Sequence, residues 1–227
     1  MSYSHQPYRE TGGAFPPVIL NLLIANGMIF ALQMLFHTPR ELGMLERWFA
    51  LWPLGGYTGA GFYPWQLVTY GFLHSTTTFF HIGINMLILW MFGREIEQTW
   101  GSARFAVYYF TCVAGAGLLQ LIIASAAFAQ GGPPVPTIGA SGGTFGVLLA
   151  FGWMYPHRQI MLLIPPIPMK ARTLVIVIGA IELIQGMSRV QTGIAHWAHL
   201  GGMLFGFLLI LYWRGRLPVK PRTRLPW

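Results

Sequence analysis

Ser141 and the histidines His81, His196 and His199 are the residues of this 227-residue chain whose types and spacing suit covalent chemistry. A serine hydroxyl becomes a useful nucleophile only when a base takes its proton and hydrogen-bond donors stabilise the oxyanion that forms. Ser141 sits in the stretch Gly-Ala-Ser-Gly-Gly-Thr-Phe-Gly (139–146), where a helix start offers unpaired backbone N–H groups and a positive dipole end. In that setting Ser141 is the candidate nucleophile and His199 the candidate general base. The backbone N–H groups around Gly139 and Gly142 are candidate oxyanion donors. Asn85 adds a side-chain donor, and His81 lies four residues before it on the same helical face. The chain has no aspartate, and of its six glutamates (Glu10, Glu41, Glu46, Glu95, Glu97, Glu182) only Glu182 falls at a suitable depth. A Ser-His dyad is the economical reading, with a contribution from Glu182 left open.

These residues are far apart in sequence, so packed elements must bring them together. Hydrophobic residues make up 54% of the chain and charged residues 9%, well below the usual quarter, which points to a membrane protein. Six apolar segments run over 17–36, 79–93, 103–128, 141–155, 173–187 and 194–213. The expected fold is all-α: a single polytopic domain over 1–227 with six transmembrane helices, a short N-terminus (1–15) and a basic tail (214–227). No cleaved signal peptide is expected. The net charge of +8 forms no binding stripe, since five cations (Arg214, Arg216, Lys220, Arg222, Arg224) lie in the tail. Nucleic acid is therefore not an expected partner, and membrane lipids are. With six spans, eleven of the fourteen basic residues fall on the side of the two termini, which makes both ends cytoplasmic.

Segments two, four and six then all run inward, and their outer ends carry His81 with Asn85, Ser141, and His196 with His199. Polar side chains in lipid are costly and usually face one another or water. The fourth segment spans 15 residues, too few to cross a hydrocarbon core of about 30 Å, so Ser141 is expected below the outer surface, in a water-filled cavity. Gly142-x-x-x-Gly146 and Gly202-x-x-x-Gly206 are small-residue pairs that would let the fourth and sixth helices approach closely. Cys112, the only cysteine, lies in an apolar stretch and forms no internal disulfide.

Other readings compete. Ser141 on its own is equally well an N-cap. His196 and His199 with His81 could hold zinc or haem iron, but the chain has neither a His-Glu-x-x-His motif nor an acidic ligand pair, and no metal is expected. His74 reads as loop, Glu95 and Glu97 as a charge cluster anchoring the second helix, and Gln120 as a cross-helix hydrogen bonder. A non-proteolytic chaperone or transporter using the same polar cavity is the alternative function. The sequence sets no oligomeric state.

At these motifs the chain resembles the rhomboid family of intramembrane serine proteases. "GASGGTFG" (139–146) is similar to the family's serine motif, and "AHLGGMLFG" (198–206) to its histidine motif. "HIGINMLILWMFG" (81–93) is similar to its second helix. "WQLVTYGFLHS" (65–75), "WGSARF" (100–105) and "PPIPMKA" (165–171) resemble linkers of bacterial members, and the likeness covers about 15–213. It departs in the first loop, where the Trp-Arg pair of some bacterial members is reversed as Arg47-Trp48. The resemblance implies Ser141 as nucleophile, His199 as base, and His81 and Asn85 as oxyanion supports. It further implies cleavage of transmembrane protein substrates near the outer face, after a small residue and without a cofactor. The fifth helix and the loop before the sixth would be the substrate gate. The compact form suggests a bacterial plasma membrane.

Overall fold

The computed structural model describes residues 15–36, 43–55, 61–162, 166–188, 193–221 and 223–224. Most of the expected N-terminal stretch, Pro165, and the cations Arg9, Arg40, Arg189 and Arg222 lie outside these residues. Helices dominate: α1 (Pro17–Leu35), α2 (Met44–Phe49), α3 (Gln66–Thr69), α4 (Phe79–Ile88), α5 (Arg94–Trp100), α6 (Ser102–Ala129), α7 (Ser141–Met154), α8 (Ala171–Met187) and α9 (His196–Trp213). A short antiparallel hairpin, β1 (Gln159–Met161) with β2 (Pro168–Lys170), joins α7 to α8.

Each apolar segment became a helix within a few residues of its expected bounds, with one difference. The second does not stop at Gly93: a π-helical turn over Leu89–Gly93 carries α4 directly into α5. That turn packs Leu89, Phe92 and Gly93 into the core, and Gly93 leaves room for Phe105 from α6, which a Cβ would meet at 3.2 Å. At its start α4 is capped by Thr78, whose Oγ1 accepts from Phe80 N at 3.2 Å.

The molecule is apolar outside and partly polar inside. Ile24, Met28 and Leu35 of α1 and Ile176, Ile184 and Met187 of α8 are exposed, whereas Asn26, Gln33, Asn85, Glu97, Thr144 and Glu182 are buried. That inversion suits lipid, where hydrocarbon covers the outer side chains and polar groups must find partners within the bundle. By length and composition α1, α6 and α9 can each cross a membrane; α7 is apolar but has 14 residues, about 21 Å of helix.

The core is the packing of α7 and α9 on α6. The two small-residue stripes meet as their spacing suggests: a Cβ on Gly202 would run into the Gly142 carbonyl, and one on Gly146 would lie 3.2 Å from the Gly202 carbonyl. Tyr108 of α6 donates its hydroxyl to the Gly146 carbonyl at 2.7 Å, fastening the third helix to that crossing.

Two polar expectations are corrected, those for Glu97 and Gln120. Glu97 does not belong to a surface charge cluster. It is buried, and its carboxylate accepts from Val18 N (3.0 Å) and Ile19 N (2.8 Å) at the start of α1. Glu95 does pair at the surface, with Arg158. Gln120 Oε1 is buried without a partner among the described residues, so the expected cross-helix bond is not made there. His74 lies in a connection, as expected, and is fully buried there, its backbone held by Gln33 of α1 through Nε2 to His74 O (3.0 Å) and His74 N to Oε1 (2.8 Å).

Candidate functional site

The segment before Ser141 is irregular, yet its backbone groups are paired. Thr137 exchanges two hydrogen bonds with Leu51, at 2.9 and 3.0 Å, and Gly139 N donates to Tyr70 O at 3.0 Å. The connection between α1 and α4 therefore clamps the chain just ahead of the helix. Gly139 has φ +126°, open to glycine and strained for other residues. A Cβ there would lie 2.8 Å from His81 Nε2 and 3.6 Å from Ser141 Oγ. The missing side chain leaves open space beside both the imidazole and the hydroxyl. Because the Gly139 N–H is committed to Tyr70, the expectation that Gly139 donates to an oxyanion is corrected: it supplies room.

Ser141 is not a cap. The N-cap residue of α7 is Ala140, and no side chain caps the helix. Thr144 N is bonded to Ala140 O, while the N–H groups of Ser141 and Gly142 have no protein partner among the described residues. The competing reading of Ser141 as an N-cap thus loses its physical basis, and an uncapped, positive helix end is left beside a half-buried hydroxyl.

Three further groups lie near this end. His81 Nδ1 accepts from Ser75 N at 3.2 Å, which places the proton of the neutral ring on Nε2, the nitrogen next to Gly139. Asn85 donates Nδ2 to the His81 carbonyl at 2.8 Å, and its Oδ1 accepts from Thr144 Oγ1 at 3.2 Å. Those bonds fix the amide and leave one Nδ2 hydrogen over. From α9, the His199 ring stacks on Phe145 with centroids 4.0 Å apart and planes 11° from parallel. Phe145 follows Ser141 by one helical turn, so the imidazole is held beside the same helix start. No hydrogen bond joins Ser141 Oγ to His199, and catalytic hydrogen bonds of this kind commonly tighten only in the Michaelis complex.

The structure also brings Glu182 of α8 to α9. Its Oε2 lies 2.6 Å from His196 Nδ1 and 2.9 Å from His199 Nδ1. The first contact is a hydrogen bond; the second is close enough for ion pairing but is not aligned for a hydrogen bond. His81 is not part of this group, so the histidine trio weighed as a metal set is not assembled as such. The three donors that do converge, Glu182, His196 and His199, lie within 4.8 Å of one another. A hollow lined by Trp153, Arg172 and Arg214 is at the far end of α7 and has no part in this arrangement.

The rhomboid domain model matches residues 61–216 of this chain. The chain belongs to the rhomboid family. A yeast relative, mitochondrial rhomboid protein 1 of Saccharomyces cerevisiae, is 33% identical over 138 residues, covering 61% of this chain and 39% of that protein. The human presenilin-associated rhomboid-like protein, also mitochondrial, is 27% identical over 207 residues, or 88% of this chain and 51% of its own length. The rhomboid protease GluP of Bacillus subtilis is 34% identical over 143 residues, covering 63% of this chain and 25% of that protein. The chain thus spans about half or less of the length of these curated relatives. As a rhomboid it is an integral, multi-pass membrane protein, which agrees with its apolar exterior.

Sequence reasoning missed several residues around the site. Thr144 and Phe145 lie inside the rhomboid serine motif but carry no catalytic chemistry of their own; only the fold reveals that one orients Asn85 and the other His199. His74 packs edge-on against His81, with ring centroids 5.1 Å apart. No local pattern signals that contact.

Proposed function

We propose that this rhomboid is an intramembrane serine endopeptidase that hydrolyses a peptide bond in or near transmembrane segments of other membrane proteins. In this reading His199 Nε2 takes the Ser141 Oγ proton as Oγ bonds to the scissile carbonyl carbon. The carbonyl oxygen receives the displaced electron pair and is met by His81 Nε2–H, the spare Asn85 Nδ2 hydrogen and the N–H groups of Ser141 and Gly142. The carbon–nitrogen bond then breaks as His199 returns the proton to the leaving amine, and an acyl ester remains on Ser141. Water attacks the ester, gives a proton to His199, and the acid product leaves as that proton returns to Oγ. No cofactor enters the scheme.

The observation that supports it best is the uncapped start of α7. The hydroxyl of Ser141, the Nε2 of His81 and the stacked ring of His199 surround one helix end. The accompanying topology is six spans, formed by α1, α4 continued through α5, α6, α7, α8 and α9, in a single domain over 1–227 with both termini cytoplasmic. Arg94, Arg158, Arg172 and Arg214 lie at the end away from Ser141, in line with the positive-inside rule. The proposed location is a bacterial plasma membrane, with transmembrane proteins as substrates and lipids as solvent. Two of the relatives above are mitochondrial by name, and the same chemistry would serve in either membrane.

The test is cleavage of a transmembrane substrate by the reconstituted full chain. Ser141→Ala and His199→Ala should each abolish product while leaving the protein folded. Cleavage at the unmodified rate by either variant would rule the scheme out.

A further inference from the structure

Glu182 is the one buried carboxylate near the chemistry that the scheme above leaves unused. Among the described residues, the other glutamates have separate roles: Glu46 accepts from Gln33, Glu95 pairs with Arg158, and Glu97 holds the start of α1. A carboxylate as buried as Glu182 persists only with compensating partners. Its partners are two imidazoles of α9, both through Nδ1 and both on Oε2.

We propose that Glu182 is a positioning residue for the general base, so that the site has three members carried by α7, α9 and α8. The inference rests on the Ser141–His199 reading and extends it. Stacking on Phe145 fixes the plane of the His199 ring but not its rotation within that plane, because a ring flip preserves the stack. A carboxylate 2.9 Å from Nδ1 limits that freedom: its charge repels a lone pair on Nδ1, so it favours the ring orientation and tautomer with the proton on Nδ1 and leaves Nε2 as the basic nitrogen for Ser141. His196 makes the better-aligned bond to the same oxygen and so secures Glu182 in the resting enzyme. The 2.9 Å contact to His199 is weak while that ring is neutral. It becomes an ion pair when His199 gains the Ser141 proton, and an interaction that strengthens at that moment lowers the barrier. Glu182 itself remains ionised throughout and takes no proton.

Turnover of a reconstituted transmembrane substrate by Glu182→Gln and Glu182→Asp tests this, with KM and fluorophosphonate labelling measured alongside. Glu182→Gln should lower kcat by about 10²-fold, the scale of a slightly misplaced catalytic group, and slow labelling by a similar factor with KM unchanged. Glu182→Asp should fall between that variant and the parent. A parental kcat in Glu182→Gln, or a loss confined to KM, would overturn the proposal. If Glu182→Gln fails to fold, Glu182→Asp decides, and a parental kcat there overturns it. Cleavage by Ser141→Ala would instead remove the underlying scheme, so the two failures are distinguishable. Dialysis of the parent against a chelator should leave turnover unchanged. Loss of turnover restored by added zinc would mean that Glu182, His196 and His199 form a metal site and would overturn the positioning role.

Discussion

The chemistry around Ser141 depends on small groups whose job is orientation. Thr144 has one hydroxyl proton, shared between Asn85 Oδ1 at 3.2 Å and the Ser141 carbonyl at 3.1 Å. It thereby fixes Oδ1 as the acceptor of the Asn85 amide and leaves Nδ2 as its donor end, one hydrogen of which goes to the His81 carbonyl. If Asn85 is an oxyanion donor, Asn85→Ala should cost about 2.7–4 kcal/mol in kcat, the usual worth of one such donor, with little change in KM. Unchanged turnover would remove Asn85 from that role. The types at Ser141, His199, His81 and Asn85 were readable from the sequence because few polar residues survive in such apolar segments. Thr144 and Phe145 were not, because a threonine and a phenylalanine in an apolar helix are ordinary until their neighbours are known.

Between elements, the contacts that position the helices divide into legible and illegible kinds. The crossing of α7 and α9 was legible, since glycines four apart on two apolar segments announce a close approach. The docking of α1 was not. Glu97 reaches the N–H groups of Val18 and Ile19 across 79 and 78 residues of sequence, and beside Arg94 and Glu95 it reads as one more surface charge. A carboxylate at a helix start satisfies two donors and the helix dipole together. Glu97→Ala should therefore destabilise the folded protein by about 1–3 kcal/mol, the cost of leaving buried donors unpaired. The measurement is thermal unfolding in detergent, and an unshifted midpoint would show that the cap is dispensable. The π-helical turn at Leu89–Gly93 was equally hidden, because an unbroken apolar run has no periodicity to interrupt.

At the scale of the whole molecule, a polar interior inside an apolar exterior makes stability depend on pH. His74, in the connection ahead of α4, has its pKa lowered to about 4 by burial, with nearby His81 adding to the effect. Its folded value lies below the unfolded value of about 6.5, so the folded state favours the neutral ring. As pH falls from about 6.5 toward about 4, the unfolded chain binds a proton that the folded chain refuses, and stability is lost across that window. Melting temperature in detergent should fall through this range, and His74→Phe should make the decline shallower. Equal slopes would show that His74 does not contribute. The overall class, a helical membrane bundle with a polar centre, was legible from composition, the six apolar segments and their charge bias; the buried brackets made by Gln33 and His74 required the fold, because their partners come from other elements.

Everything proposed for this site requires that the start of α7 activates Ser141. A fluorophosphonate probe, which reacts with serines activated by a base and an oxyanion site, tests it most directly. The expected result is covalent labelling of the folded protein, mapped to Ser141 and abolished in His199→Ala. Labelling elsewhere, no labelling of folded protein, or undiminished labelling in His199→Ala would contradict it.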